Sequence, residues 1–128
     1  MTASPISDLN PVHMAAGCTL TLMKAGGETR TVPLRDFFLS YRKVDALPEE
    51  IALYLSIPWT KENEYIKVFK VSRRREDDIA IVNAGMRVVL DPSTGTVIDC
   101  AFAFGGMAPK SVNAPVFPHT DKLSSTIA

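Results

Sequence analysis

The sequence predicts a β-rich α+β fold made mainly of antiparallel strands. Several short segments either alternate apolar and polar residues or are apolar throughout, and both patterns are typical of strands. Turn residues such as glycine, proline and aspartate separate most of these segments. Because most of the connections are too short for the crossovers that parallel strands need, the strands are predicted to pair in antiparallel fashion.

Local patterns define the elements of the first half. Residues 4–11 (SPISDLNP) are rich in turn formers and are predicted to be a structured loop. Pro58 ends a stretch of alternating apolar residues, because proline cannot donate to a strand ladder. The predicted elements are a strand over 18–23, a hairpin turn over 25–28, a strand over 29–34, a helical turn over 36–39 and a strand over 50–57.

The second half contains the most apolar predicted strand. Residues 79–90 are apolar on both faces, which places them in the middle of a sheet or beneath helices. The polar stretch 59–63 is predicted to be the seam between two units, residues 1–62 and residues 63–128. The predicted elements of the second unit are strands over 65–71, 79–90 and 97–104, a turn over 91–95, and the first turns of a helix over 121–128.

Composition excludes several classes of protein. The chain has 128 residues, 46% hydrophobic and 22% charged, which is ordinary for a globular domain. Fourteen basic residues balance fourteen acidic ones, and this argues against nucleic-acid binding, which needs a cationic excess. No apolar run has the roughly 20 residues that cross a membrane. The N-terminus lacks the pattern of a signal peptide, so Cys18 and Cys100 are predicted to be reduced thiols in the cytoplasm.

Familiar catalytic and metal-binding motifs are missing from the sequence. The two histidines, His13 and His119, have no cysteine or second histidine at ligand spacing, so no metal site is predicted. Nucleophile-elbow, P-loop and GxGxxG patterns are not found, and no catalytic residue is assigned. The glycine pairs at 26–27 and 105–106 are interpreted as turns.

Two segments carry polar groups that suit a binding site. The first is residues 4–11, where hydroxyls and the Asp8 carboxylate could face a ligand; the alternative is a loop in which Asp8 is a local cap. The second is residues 70–78 (KVSRRREDD), where three basic residues precede three acidic ones between two apolar strands. It is either a site loop beside a cofactor or a solvated loop whose charges pair among themselves.

These segments belong to a longer resemblance. The motifs TASPISDLNP, FFLSYRK, PEEIALYLSIPW, VFK, RREDDIAIVNAGMRVVL and FGGMAP resemble, in order, the FAD-binding part of the xanthine dehydrogenase family, within the molybdenum hydroxylases. The resemblance runs from Thr2 to about Pro109. It implies the end of a PCMH-type FAD-binding subdomain followed by the start of a CO dehydrogenase flavoprotein C-terminal-like antiparallel subdomain. It also implies that the chain is a fragment of a larger protein.

The resemblance further implies a function in electron transfer. In that family the flavin domain binds FAD and passes electrons from iron–sulfur clusters to NAD during hypoxanthine and xanthine oxidation. Molybdopterin and the 2Fe–2S clusters would be bound by other parts of the polypeptide, which are the expected partners of this chain. The complete enzyme is expected to be a homodimer in the cytoplasm or the peroxisome, without nucleic-acid or membrane partners.

Five site residues follow from the resemblance. Asp8, Ala52 and Lys70 match positions that contact FAD, although the family usually has leucine where Ala52 stands. Arg75 and Asp77 match the loop beside the flavin ring and the NAD entrance.

Two alternatives to this function remain open. The glycine-rich loops that grip the pyrophosphate in the family are not found in the sequence, so the isolated chain is expected to bind FAD weakly and to be inactive. One alternative is therefore a stranded non-enzymatic β domain. The other is a piece of an aldehyde oxidase, which the paired acids Asp77 and Asp78 disfavour.

Overall fold

The computed structural model of the protein describes residues 2–115, and the helix predicted over 121–128 lies outside them. The β-rich α+β fold is confirmed, and every strand pair within the described residues is antiparallel. The elements are α1 (Asn10–Ala15), β1 (Thr19–Lys24), β2 (Thr29–Pro33), α2 (Leu34–Phe37), β3 (Phe38–Ser40), β4 (Lys43–Val44), β5 (Glu50–Ser56), β6 (Glu64–Val71), β7 (Val82–Leu90), β8 (Val97–Gly105) and β9 (Val112–Asn113).

The first half forms a three-stranded sheet in the order β2-β1-β5, with the small β3-β4 pair beside it. The predicted hairpin between β1 and β2 is present, and its turn contains Gly27 at a φ of 85°, which glycine adopts without strain. Leu20, Leu22 and Val32 are buried in the core beneath this sheet. Phe37 and Phe38 join the same core and contact each other edge to face, with ring centroids 5.4 Å apart.

The second half forms a four-stranded sheet in the order β6-β7-β8-β9. The apolar strand β7 lies inside this sheet, as its sequence predicts. It begins at Val82 rather than at residue 79, so the predicted start of the strand is wrong. Residues 78–80 have no regular structure, and the Asp78 carboxylate accepts the Ile79 backbone N–H at 2.9 Å, a local bond that competes with strand pairing.

The prediction of a continuous loop over residues 4–11 is wrong at its end, where α1 begins at Asn10. Pro11 suits the first helical turn because the N–H that it lacks has no partner there. The alternative in which Asp8 is a local cap is not seen: Leu9 is the N-cap residue of α1, and the Ser7 hydroxyl accepts the Asn10 N–H at 3.2 Å. The helical turn predicted over 36–39 is shifted to Leu34–Phe37.

Helix α1 connects the first half of the chain to the four-stranded sheet. Gly85 of β7 lies directly against the backbone of Pro11 and Val12. The Arg87 guanidinium donates to the Ala15 carbonyl at 3.2 Å and forms ion pairs with Glu64 and Asp99 on the flanking strands. No helix among residues 2–115 has the length and apolarity needed to cross a membrane.

An ion-pair network links the outer strands β2 and β5 of the three-stranded sheet to the segment before β5. Arg30 of β2 donates to both carboxylate oxygens of Glu50, at 2.7 and 2.9 Å, and to Asp45 at 3.0 Å. The Glu50 carboxylate also accepts the Leu47 N–H at 2.8 Å, and the Glu50 side chain is only 2% exposed. The hydrogen bonds from Arg30 are the main reason that the pKa of Glu50 falls from 4.5 to about 2.

This lowered pKa gives the first prediction, a pH dependence of stability. Because the folded-state pKa of Glu50 lies below its ordinary value, its contribution is fully present above about pH 4.5 and is lost as the pH falls towards 2. We therefore expect Glu50→Gln to be less stable than the parent at neutral pH, with the difference narrowing below pH 4.5. Urea unfolding followed by circular dichroism at a series of pH values measures the difference.

The matched control is Glu28→Gln, which removes the same charge from a side chain that is 76% exposed. Its stability curve should run parallel to that of the parent across the whole pH range. Parallel curves for Glu50→Gln as well would show that the network does not hold the Glu50 carboxylate ionised.

Candidate functional site

An open cleft of about 630 Å³ lies between the N-terminal segment and the loop that joins β6 to β7. Its walls combine hydroxyls, charged groups and apolar side chains. The lining residues are Ser4, Ile6, Ser7, Asp8, Lys70, Asp77, Asp78, Ile79 and Ala80. The structure thus brings three of the five predicted site residues, Asp8, Lys70 and Asp77, to one cleft.

An ion pair joins the two walls of the cleft. The Lys70 Nζ at the end of β6 donates to the Asp8 Oδ2 at 2.9 Å, although the two residues lie 62 positions apart in the chain. Both side chains remain in contact with solvent, since 54% of Asp8 and 36% of Lys70 are exposed. Each can therefore bond a ligand without first leaving a buried position.

The charged loop is organised by one of its own acids. The Asp78 carboxylate accepts the Arg74 backbone N–H at 2.8 Å and pairs with the Arg74 guanidinium at 3.7 Å. Asp77 adopts a φ of 49°, a left-handed conformation that aspartate tolerates better than most residues, and it is one of the residues that line the cleft. Arg75 is exposed in the same loop and is not among the residues that line the cleft.

Ala52 lies apart from the cleft. It is an exposed residue of β5 in the three-stranded sheet, where it pairs with Leu22, and it does not line the cleft. Its contact with FAD stays a prediction.

Sequence reasoning missed the apolar part of the site. Ile6 and Ile79 line the cleft with 36% and 69% of their surfaces exposed, and Ala80 lies beside them. The apolar sequence predicts that Ile79 lies in a buried strand, and this prediction gives no indication of its place in the cleft. An apolar residue directly after a charged loop, before the strand starts, is the signal that could have indicated it.

A second cavity of about 420 Å³ lies on the other side of the N-terminal segment. It shares Ser4 and Ser7 with the cleft, and its other walls are mainly apolar residues such as Leu20 and Phe38. His13 also lines it, and burial lowers the pKa of that imidazole. Among residues 2–115, no three His, Cys, Asp or Glu side chains are grouped so as to hold a metal ion.

Comparison with known proteins gives the class to which this fold and cleft belong. Residues 1–60 match the model of the FAD-binding domain in molybdopterin dehydrogenases, and residues 67–118 match the CO dehydrogenase flavoprotein C-terminal domain. With these two matches in this order, the chain belongs to the molybdenum hydroxylase family and corresponds to a segment of its flavin domain.

Xanthine dehydrogenases are among the proteins most similar to this chain in sequence. The chain is 51% identical to xanthine dehydrogenase from Oryza sativa subsp. japonica over 115 residues and 50% identical to xanthine dehydrogenase/oxidase from Gallus gallus over 114 residues. These matches cover 88% and 89% of this chain. The chain spans only 8% of the length of each relative.

Solved structures show the same fold at low sequence identity. Reconstituted CO dehydrogenase from Oligotropha carboxidovorans matches 88% of this chain and 38% of its own with a TM-score of 0.77 at 18% identity. Quinoline 2-oxidoreductase from Pseudomonas putida 86 matches 88% of this chain and 37% of its own with a TM-score of 0.73 at 19% identity.

Proposed function

We propose that this chain is the flavin-contacting segment of a dehydrogenase of the xanthine dehydrogenase type. In the complete enzyme it helps to bind FAD and to pass electrons from iron–sulfur clusters to NAD. Its partners are the remainder of the polypeptide, which holds molybdopterin and the 2Fe–2S clusters, and a second subunit of the enzyme. The observation that carries the proposal is the cleft, where Asp8, Lys70 and Asp77 meet from distant parts of the chain.

The chemistry of the cleft fits the flavin end of FAD. A volume of about 630 Å³ lies within the range of small-molecule sites. Ile6 and Ile79 offer apolar surface to an aromatic ring, and the Ser4 and Ser7 hydroxyls with the Asp8 carboxylate offer partners to a polyol chain. Residues 1–60 match a domain family that binds FAD.

The charge of the cleft indicates which part of FAD it takes. Three acidic residues, Asp8, Asp77 and Asp78, line the cleft, and Lys70 is the one basic residue among the described residues that line it. Such a surface repels a pyrophosphate, which is bound by cations and by backbone N–H groups at helix or loop N-termini. The cleft therefore suits the uncharged ring and ribityl chain, and the pyrophosphate would be held elsewhere in the complete enzyme.

Each residue then has a defined role. Asp8 accepts hydrogen bonds from ribityl hydroxyls, and Lys70 orients the Asp8 carboxylate while offering a cation to an electron-rich ring edge. Asp77 sets the electrostatic potential beside the flavin ring, and Arg75 adds a positive charge beside the entrance for NAD. When bound, the flavin supplies the redox chemistry. Ala52 and the division of the chain at residues 62 and 63 are part of the same proposal.

Weak but localised flavin binding tests the proposal. We expect riboflavin and FAD to shift the same backbone amide resonances of the 15N-labelled 128-residue chain, at Ser7, Asp8, Lys70 and Ile79, at high micromolar concentration or above. ADP, which carries the pyrophosphate without the flavin, should leave these resonances in place. If ADP shifts them as much as FAD does, or if neither flavin shifts them, the flavin role of the cleft fails and the non-enzymatic β domain is the better description.

The electron-transfer part of the proposal predicts a change in flavin potential. Reduction adds negative charge to a flavin, which a nearby carboxylate opposes, so Asp77→Asn should raise the midpoint potential. Asparagine also tolerates the left-handed backbone at this position. At an effective dielectric of about 20, a charge at about 4 Å has a large effect, and solvent screening reduces it to roughly tens of millivolts.

The measurement needs a complete enzyme. We define the chimera as a full-length xanthine dehydrogenase in which residues 2–115 of this chain replace the matching segment. In the Asp77→Asn chimera the potential should rise, the ratio of NAD reduction to superoxide production should change, and xanthine oxidation at the distant metal should persist. Glu76→Gln is the control, because Glu76 belongs to the same loop but does not line the cleft. Equal potentials in both variants and the parent would leave only the solvated-loop alternative.

A further inference from the structure

The segment that carries Asp8 is held by three neighbouring strands in turn. The Gly106 backbone N–H, at the end of β8, donates to the Pro5 carbonyl at 2.8 Å. The Asn83 side-chain Nδ2 on β7 donates to the Ser7 carbonyl at 2.9 Å. Lys70 on β6 completes the series through its ion pair with Asp8. Residues 5–8 are thus bonded in turn by the residue that follows β8, by β7 and by β6.

The strand register places two of these contacts in one row and the third one residue beyond it. Lys70 pairs with Asn83 in the β6–β7 ladder, and Asn83 pairs with Gly105 in the β7–β8 ladder. Asn83 is the central member of this row, between the cation that meets Asp8 and the glycine pair that meets Pro5. A change at Asn83 therefore acts on the part of the segment directly before Asp8.

Burying the polar side chain of Asn83 costs free energy of desolvation. The residue is 3% exposed, and its Oδ1 has no hydrogen-bond partner within the described part of the chain. A buried acceptor without a partner costs about as much as one good hydrogen bond contributes. The amide therefore adds little net stability, and what it provides is the directed bond to the Ser7 carbonyl.

The glycines beside Asn83 make room for this arrangement. A Cβ on Gly105 would lie 2.1 Å from the Asn83 Oδ1 and 3.1 Å from the Pro5 carbonyl oxygen. A Cβ on Gly106 would lie 2.1 Å from the Ile81 carbonyl oxygen, and Gly106 has a φ of 82°. Gly105 thus leaves room for the Asn83 amide and the Pro5 carbonyl, whereas Gly106 is fixed by its close approach to Ile81 and by its positive φ. The pair is thus more than the turn that the sequence indicates.

We infer that Asn83 is a positioning residue for the flavin cleft. It fixes the Ser7 carbonyl so that the next residue, Asp8, presents its carboxylate to Lys70 at the cleft wall. The functional meaning of this position rests on the proposed flavin role of Asp8, whereas the positioning itself can be measured without any cofactor.

The test uses the full 128-residue chain and two variants that remove the donor. Asn83→Leu replaces the amide by an apolar side chain of similar size, and Asn83→Asp keeps the shape but sets a carboxylate against the Ser7 carbonyl. We expect the Gly106 amide, which reports on the bond to Pro5, to exchange with solvent roughly tenfold faster in both variants. The Lys70 15Nζ resonance should move towards its position in Asp8→Asn, because the ion pair is loosened.

The control is Thr21→Val. It removes a buried hydroxyl of the three-stranded sheet, where Thr21 and Thr31 form a hydrogen bond between their hydroxyls. It should lower stability without changing the Gly106 exchange rate or the Lys70 resonance. Unchanged values in Asn83→Leu and Asn83→Asp would overturn the inference. So would failure of both variants to fold under conditions in which Thr21→Val folds, because Asn83 would then be a structural residue.

A flavin arm separates this inference from the proposed function. Suppose that riboflavin does not shift the Ser7 and Asp8 amide resonances of the parent, while the Asn83 variants still show faster Gly106 exchange and a moved Lys70 resonance. The flavin role then fails and the positioning role of Asn83 stands. If riboflavin shifts the parent and binds the Asn83 variants equally well, the flavin role stands and the positioning role of Asn83 is refuted.

Discussion

Replacing Asp8 by asparagine is expected to deplete the chimera of FAD. The substitution keeps the shape of the side chain but removes the negative charge with which, in the proposed role, Asp8 accepts hydrogen bonds from the flavin hydroxyls. A hydrogen bond to a charged group contributes roughly 1.5–3 kcal/mol, which corresponds to about a 10- to 150-fold loss of affinity. Flavin absorbance per protein after dialysis, and the dissociation constant from flavin fluorescence, both measure the loss.

The ion pair with Lys70 makes this prediction more specific. In Asp8→Asn the Lys70 ammonium loses its partner at 2.9 Å, whereas in Lys70→Met the Asp8 carboxylate stays but is no longer oriented. If both side chains contact the flavin, each single variant loses affinity, and the double variant loses less than the sum because the two residues act as a unit.

Asp36→Asn is the control for the change of charge. Asp36 lies on α2 with a side chain that is 63% exposed, and it does not line the cleft. Its FAD content should equal that of the parent. If Asp8→Asn retains as much flavin as Asp36→Asn, Asp8 serves only to fasten the N-terminal segment to β6.

The strands could be predicted because their signals are local. The alternation in β1, the glycine turn after it and the apolar run of β7 depend on residues close together in the chain. Helix α1 was missed because a stretch as short as Asn10–Ala15 is marginal by itself. Its packing against Gly85 stabilises it, and that contact joins residues that no sequence pattern relates.

The site shows the same division between local and distant information. The charge pattern of residues 70–78 and the polar segment 4–11 indicated the two walls, and the family resemblance indicated that both belong to a flavin site. The contacts themselves lie beyond sequence reasoning, because Lys70 meets Asp8, and Asn83 meets Ser7, only after the four-stranded sheet has set the register of β6, β7 and β8. A buried asparagine in an apolar strand is the one local signal that could have pointed to this contact.

The close approach of α1 to β7 leads to a large expected effect on stability. A Cβ on Gly85 would lie 2.4 Å from the Pro11 carbonyl oxygen and 2.7 Å from the Val12 Cα. These are backbone atoms, so no side chain can rotate away and the helix itself must move. We expect Gly85→Ala to destabilise the chain by about 3 kcal/mol or more, the upper range for overpacking. The melting temperature should fall by roughly 10 °C in thermal unfolding followed by circular dichroism.

Gly26→Ala is the matched control, because a Cβ at Gly26 meets no atom within 4 Å. It should leave the melting temperature unchanged or raise it slightly, since alanine restricts the unfolded chain. The movement of α1 in Gly85→Ala should also disturb the segment before it, so the Gly106 amide should exchange faster even well below the melting temperature. If Gly85→Ala has the same melting temperature as Gly26→Ala and its Gly106 amide stays protected from exchange, α1 does not pack against β7. The helix then cannot position Asp8 at the cleft.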